Sequence, residues 1–214
     1  MPAMLNRHAR PALARVVDPA ARTLLRAGVG PDAVTVLGTV GVVASALWFF
    51  PRGQFLAGTL VVTVFVLSDL LDGAMARQQQ RTSAWGAFLD STCDRVGDAA
   101  VLLGIAWWAL RSAAEGTEAP LSADHATLLG VLTLSGLVVG FLVSYVRARA
   151  EGLGVRADIG IAERAERLLL VLVTTGLVGL GLPHAALTVA MGVLTLLGAV
   201  TVAQRAAAVR REVA

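Results

Sequence analysis

Asp69, Asp72, Asp90 and Asp94 are spaced as two pairs, i, i+3 and i, i+4, and a helix places each pair on one of its faces. All four border or interrupt apolar runs. An ionised side chain at the centre of a membrane helix costs roughly 2.5–3.5 kcal/mol even on a lenient scale, so four need compensation on the order of 10 kcal/mol. Oxygen donors with no His or Cys partner favour hard cations, Mg²⁺ or Mn²⁺, over zinc. Four negative charges balance two divalent ions, and two ions about 3.5–4 Å apart clamp a phosphoryl or diphosphate group during in-line displacement. Gly73 follows Asp72, Ala76 lies one turn further on and Gly86 one turn before Asp90, so a ligand can approach the backbone closely. Arg77 can give a diphosphate bidentate hydrogen bonds. A competing reading pairs the carboxylates with Arg77, Arg81 and Arg95, or makes them caps of span ends; it gives the neighbouring glycines no purpose.

The elements that must position these residues are read from composition. The 214-residue chain is 56% hydrophobic and 15% charged, with mean hydropathy +0.72, against about 25% charged in ordinary soluble domains. That excludes a disordered chain and argues against a soluble globular domain. The lone Cys93 excludes an intramolecular disulfide, and no connection is long enough for a second domain. Residues 33–51, 126–146 and 185–204 are free of Asp, Glu, Arg and His and match a span of about 20 residues. A further stretch, 168–183, reaches that length if its helix begins in the charged turn 163–167. The stretches 53–68 and 99–110 do so if their helices continue through Asp69 and Asp72, and through Asp90, Asp94, Arg95 and Asp98. Pro51-Arg52-Gly53, 116–120 and Gly181-Leu182-Pro183-His184 supply turns between them.

The expected fold is an all-α integral membrane protein, with six transmembrane helices in 31–214 preceded by an amphipathic juxtamembrane arm, 1–30. Every one of the 18 basic residues is Arg, and all but Arg52, Arg95 and Arg111 fall on one side of these spans. The bias puts both termini and the carboxylate cluster on the cytoplasmic side of the cell membrane. In the arm, Leu13, Val16, Val17, Ala20 and Leu24 share a helical face opposite Arg15, Arg22 and Arg26, which suits a helix lying on the membrane surface. Packing of that face on protein is the alternative. Asp18-Pro19 reads as an N-cap and first helical position, dividing the arm into two short helices. The arm lacks the apolar core and cleavage site of a signal peptide.

From Asp69 to Asp94 the chain reads D-L-L-D-G-A-M-A-R, eight residues, then G-A-F-L-D-S-T-C-D. This resembles the CDP-alcohol phosphotransferase signature D-x2-D-G-x2-A-R-x8-G-x3-D-x3-D at every fixed position. The resemblance implies a polytopic membrane enzyme, usually dimeric, that moves a phosphatidyl or similar group from a CDP-linked donor to an alcohol and releases CMP. It implies that Asp69, Asp72 and Asp90 are metal ligands and that Asp94 is both a ligand and the general base. Gly73, Ala76 and Arg77, with Ser83, would contact CDP-diacylglycerol. Gly30, Pro31, Asp32 and Ala33 belong to a segment, running on to Thr35, similar to one that lines the family's nucleotide pocket; Asp32 capping the first span is compatible with this. Cys93 and Asp98 have no role in the signature, and Asp98 is expected to pair with Arg95 or water.

The remaining arginines bear on the acceptor. Positive-inside bias accounts for Arg149, Arg156, Arg210 and Arg211, but less well for Arg147 and Arg205, which adjoin apolar runs. Arginines beside a metal site suit an acceptor that itself carries a phosphate. S-Y-V-R-A-R-A-E, E-R-A-E-R-L and V-A-Q-R, with Val34-Thr35, resemble the bacterial phosphatidylinositol phosphate synthases of this family. That likeness implies D-myo-inositol 3-phosphate as acceptor, held by Arg147, Arg167 and Arg205, with Arg164 secondary. The chain departs from the subfamily where Lys often stands at Arg147, and in having E-R-A-E-R rather than E-R-P-E-R. Glycerol 3-phosphate remains a rival acceptor, and a divalent-cation transporter is a rival of another class. Membrane lipids and a second copy of the chain are the expected partners; no nucleic acid is.

Overall fold

The computed structural model describes residues 17–79, 83–115, 121–155, 159–161 and 164–213. Among these there is no strand. The helices are α1 (17–26), α2 (Pro31–Phe49), α3 (Phe55–Val66), α4 (Asp69–Gln78), α5 (Ala84–Glu115), α6 (Ala123–Glu151), α7 (Arg164–Gly179) and α8 (Ala185–Val213). A short 3₁₀ turn, Phe50–Arg52, and Gly53 at φ 70° close the Pro51-Arg52-Gly53 turn. Gly116–Pro120, Arg81, Arg156 and the arm before Val17 lie outside the described residues.

Among the described residues, five helical stretches are long and apolar enough to cross a membrane: Pro31–Arg52, Phe55–Gln78, Ala84–Glu115, Ala123–Glu151 and Ala185–Val213. Helix α7 does begin in the charged turn, but its 16 residues rise about 24 Å, short of the expected sixth span. Leu37, Val64, Val189 and Leu196 are each 65–67% exposed. In water such side chains would form an apolar surface far beyond what a monomer tolerates; against lipid they are in their proper solvent.

Two compact units divide the chain. The first comprises Met1–Val43 and Val62–Gly97. Here α2 lies so close to the α3–α4 span that a Cβ on Gly38 would collide with Ser68 Oγ and one on Gly41 with the Phe65 ring. The span breaks at Leu67-Ser68, where Leu71 N bonds Ser68 O at 2.8 Å and Ser68 Oγ donates to Phe65 O at 2.6 Å. The break starts a fresh helix at Asp69, placing Asp69 and Asp72 in a first turn, the end at which the helix dipole favours negative charge. Helix α1 packs Val17, Ala21, Leu24 and Leu25 around Val34, Ala74 and Met75, with Arg22 and Arg26 exposed. Of the apolar stripe expected on the membrane surface, Val17 and Leu24 pack, partly buried, against residues of α2 and α4. That part is one helix, with Pro19 in its first turn.

The second unit comprises Ala44–Val61 and Asp98–Ala214. Helices α6 and α8 meet through His125–Thr188 (2.9 Å), Thr195 Oγ1 to Leu132 O (3.1 Å) and Arg205 Nη1 to Val143 O (2.7 Å). These pairs advance together along both helices at separations of 62 or 63 residues, so α6 and α8 are parallel. Trp108 stands edge-on to Phe55 (4.8 Å between rings) and stacks on His184 (5.1 Å).

Candidate active site

Asp69 opens α4, while Asp90 and Asp94 project from successive turns of α5. One carboxylate oxygen from each lies within 4.8 Å of the others. Asp69 and Asp90 are exposed and Asp94 is half-buried, with Arg95 Nη1 3.6 Å from Asp94 Oδ2. Three like charges this close repel unless a cation sits among them, and an all-oxygen donor set suits Mg²⁺ or Mn²⁺. Asp72, the fourth expected ligand, is outside this trio. It is buried, and its Oδ2 accepts a short hydrogen bond from Thr35 Oγ1 of α2.

Beside the carboxylates opens a cavity of about 360 Å³, lined by Pro31, Asp32 and Thr35 from α2, by Asp69, Asp72, Gly73 and Ala76 from α4, and by Ser83, Gly86, Ala87 and Asp90 at the start of α5. Gly73 lines it, and a Cβ added there would meet only Arg77 Nη1, at 3.4 Å. Protein packing therefore does not require a glycine at this position, whereas close approach of a ligand would. Arg77 is exposed at the end of α4 and reaches back over Gly73. Ser83 Oγ accepts from Gly86 N at 2.9 Å and so caps α5, which leaves the hydroxyl proton to donate. Asp32 Oδ2 accepts from Trp85 Nε1 at 3.1 Å. Gly30 and Ala33 flank the cavity without lining it.

The arginines have found partners. Arg147 is exposed and pairs with Glu151 at 3.0 Å. Arg164 Nε lies 3.3 Å from Asp98 Oδ1, which corrects the expected Asp98–Arg95 pair; Arg95 instead donates to Ser91 O and faces Asp94. Arg167 is buried in α7. Arg205 is only 3% exposed, and its guanidinium donates to Ile159 O and Val143 O, both at 2.7 Å. Side-chain roles for Thr35 and Trp85 escaped sequence reasoning. The one available signal was that Asp32 and Thr35, at i, i+3, share a face of α2.

The match to known proteins is consistent with this geometry. Residues 29–204 match the family model described as CDP-alcohol phosphatidyltransferase. A phosphatidylinositol phosphate synthase of Streptomyces avermitilis is 47% identical, over 98% of this chain and 84% of its own. One from Mycolicibacterium smegmatis is 48% identical, over 94% and 86%. Among solved structures, the Mycobacterium tuberculosis phosphatidylinositol phosphate synthase with CDP-DAG bound superposes with TM-score 0.83 at 42% identity, covering 92% of this chain and 94% of that one. The same enzyme in complex with manganese and citrate gives TM-score 0.81, over 91% and 88%. This multi-pass membrane chain belongs to the CDP-alcohol phosphatidyltransferase family.

Proposed function

We propose that the protein transfers the phosphatidyl group of CDP-diacylglycerol to D-myo-inositol 3-phosphate, giving phosphatidylinositol phosphate and CMP. The observation that carries this is the convergence of Asp69, Asp90 and Asp94 within 4.8 Å beside a cavity lined by Asp32, Gly73 and Ala76. Relatives that share nearly half of its residues along almost the whole chain carry the phosphatidylinositol phosphate synthase name.

In this reading Asp69, Asp72, Asp90 and Asp94 hold two Mg²⁺ ions, with Mn²⁺ an effective substitute. When bound, such ions neutralise the diphosphate and stabilise charge on the leaving oxygen. The chain's own residues do the rest. Pro31, Asp32 and Ser83 bind the cytidine end, with Gly30 and Ala33 shaping the turn that carries them. Gly73 and Ala76 let the diphosphate lie against α4, and Arg77 grips it. Asp94 takes the proton of the acceptor hydroxyl as its oxygen attacks the phosphatidyl phosphorus and the bridging P–O bond to CMP breaks. Arg167 and Arg205 hold the acceptor's phosphate, with Arg147 and Arg164 contributing charge after exchanging their present carboxylate partners. Six crossings, a homodimer and a cytoplasmic site in the plasma membrane complete the proposal; the arginine distribution supports the orientation.

The test is CMP release by purified protein given CDP-diacylglycerol and Mg²⁺ with either inositol phosphate or glycerol 3-phosphate. Release with the inositol ester is expected. Release with glycerol 3-phosphate alone would replace the acceptor, and release with neither would remove the reaction.

A further inference from the structure

Asp72 differs from the other three carboxylates in being buried, and its Oδ2 is engaged by a hydroxyl from another helix. Thr35 Oγ1 faces two acceptors, Pro31 O at 3.2 Å and the closer Asp72 Oδ2. A hydroxyl has one proton to give, and a carboxylate is the stronger acceptor, so the proton goes to Asp72. Thr35 is itself held firmly. Its χ1 is stiffened by β-branching, and α2 is locked against the α3–α4 span by the close approach at Gly38 and Gly41. Thr35 and Asp72 also line the same cavity. With Oδ2 held by Thr35, the Asp72 carboxylate cannot turn freely about its own bond.

We propose that Thr35 is a positioning residue that orients Asp72 as a metal ligand, so that α2 contributes to metal affinity without supplying a ligand of its own. The inference rests on the reading that these aspartates bind divalent metal. It gives the hydroxyl of Thr35 a task distinct from lining a nucleotide pocket, and one that persists with no nucleotide present.

The experiment is Mn²⁺ binding to the purified full-length protein without donor or acceptor, read from the electron paramagnetic resonance signal of free Mn²⁺. Thr35→Val keeps the shape and removes the hydroxyl; Thr35→Ser keeps the hydroxyl and removes the methyl. Loss of a partner that orients a ligand typically weakens metal binding about 10- to 100-fold, which is expected for Thr35→Val, with Thr35→Ser staying within about threefold of the parent. Thr35→Ala supplies a second hydroxyl-free variant should Val prevent folding. Parent-like Mn²⁺ affinity in the hydroxyl-free variant, or an equal loss in Thr35→Ser, overturns the proposal while leaving the metal site standing. Failure of the parent protein to bind Mn²⁺ would overturn both.

Discussion

Trp85 Nε1 donates to Asp32 Oδ2 at 3.1 Å, tying the first turn of α5 to the first turn of α2 across 53 residues of sequence. Asp32 lines the cavity, and the Trp85 ring lies 5.8 Å from that of Phe88 on the same helix. The indole therefore engages one oxygen of Asp32 at the edge of the cavity.

Trp85→Phe keeps an aromatic ring and removes only the N–H. One such hydrogen bond contributes about 0.5–1.5 kcal/mol, so KM for CDP-diacylglycerol should rise roughly 2- to 10-fold with kcat little changed. Steady-state kinetics at saturating acceptor measure this. An unchanged donor KM would show that Asp32 needs no help from Trp85.

Asp94→Asn removes the proton acceptor while preserving size. General-base catalysis typically contributes about 10²–10⁴-fold, so CMP release should fall at least a hundredfold. Binding of CDP should persist, because Pro31, Asp32 and Gly73 are untouched. Equal loss of CDP binding and turnover would make Asp94 a ligand alone.

Arg205→Met should have two separable effects. Removing the guanidinium strips the carbonyl of exposed Ile159 and that of buried Val143 of a donor, at a cost of about 1–3 kcal/mol for the buried group. For a chain of this size that lowers the melting temperature in detergent by roughly 2 °C or more. The acceptor KM should rise as well, and Arg205→Lys, a single point donor, should fall between. A destabilised variant with normal acceptor KM would confine Arg205 to a structural role.

Stability should also depend on pH through His184, in the connection between α7 and α8. Burial, with His125 nearby, holds this imidazole below its ordinary 6.5. The folded protein thus favours the neutral ring, and above about pH 6.5 neither state is protonated and the contribution is complete. As pH falls below 6.5 the unfolded chain gains a proton before the folded one does, and stability declines. Thermal melting between pH 8 and 5 measures the slope, and His184→Phe, which preserves the stack on Trp108, should flatten it. An unaltered slope in that variant would assign the titration to another group.

Most of the candidate site was legible in the sequence because helix periodicity alone puts Asp69 with Asp72, and Asp90 with Asp94, on common faces. What periodicity cannot supply is the partner on another helix. Sequence spacing offers Asp98 either Arg95 or water; the structure pairs it with Arg164, 66 residues away, while Arg95 folds back on Ser91 O. The depth of Arg205 was visible as a charge in an apolar run, but not the two carbonyls that receive its hydrogen bonds. Likewise the apolar stripe of the arm could be read from spacing, yet the same stripe suits a lipid surface or the side of α2 and α4, and only tertiary structure decides between them. Thr35 was hidden because a threonine in the first turns of a helix ordinarily satisfies its hydroxyl on the preceding turn.

The parallel course of α6 and α8 imposes a rule of parity. A chain that crosses a membrane twice in one direction must return once in between, and the chain from 152 to 184 is what is available for the return. A 16-residue helix manages about 24 Å, less than the hydrocarbon thickness, so a return made by α7 alone would require the bilayer to yield around it. Because α6 and α8 run parallel, Arg147 and Arg149 near the end of α6 and Arg210 and Arg211 near the end of α8 share one face of the membrane.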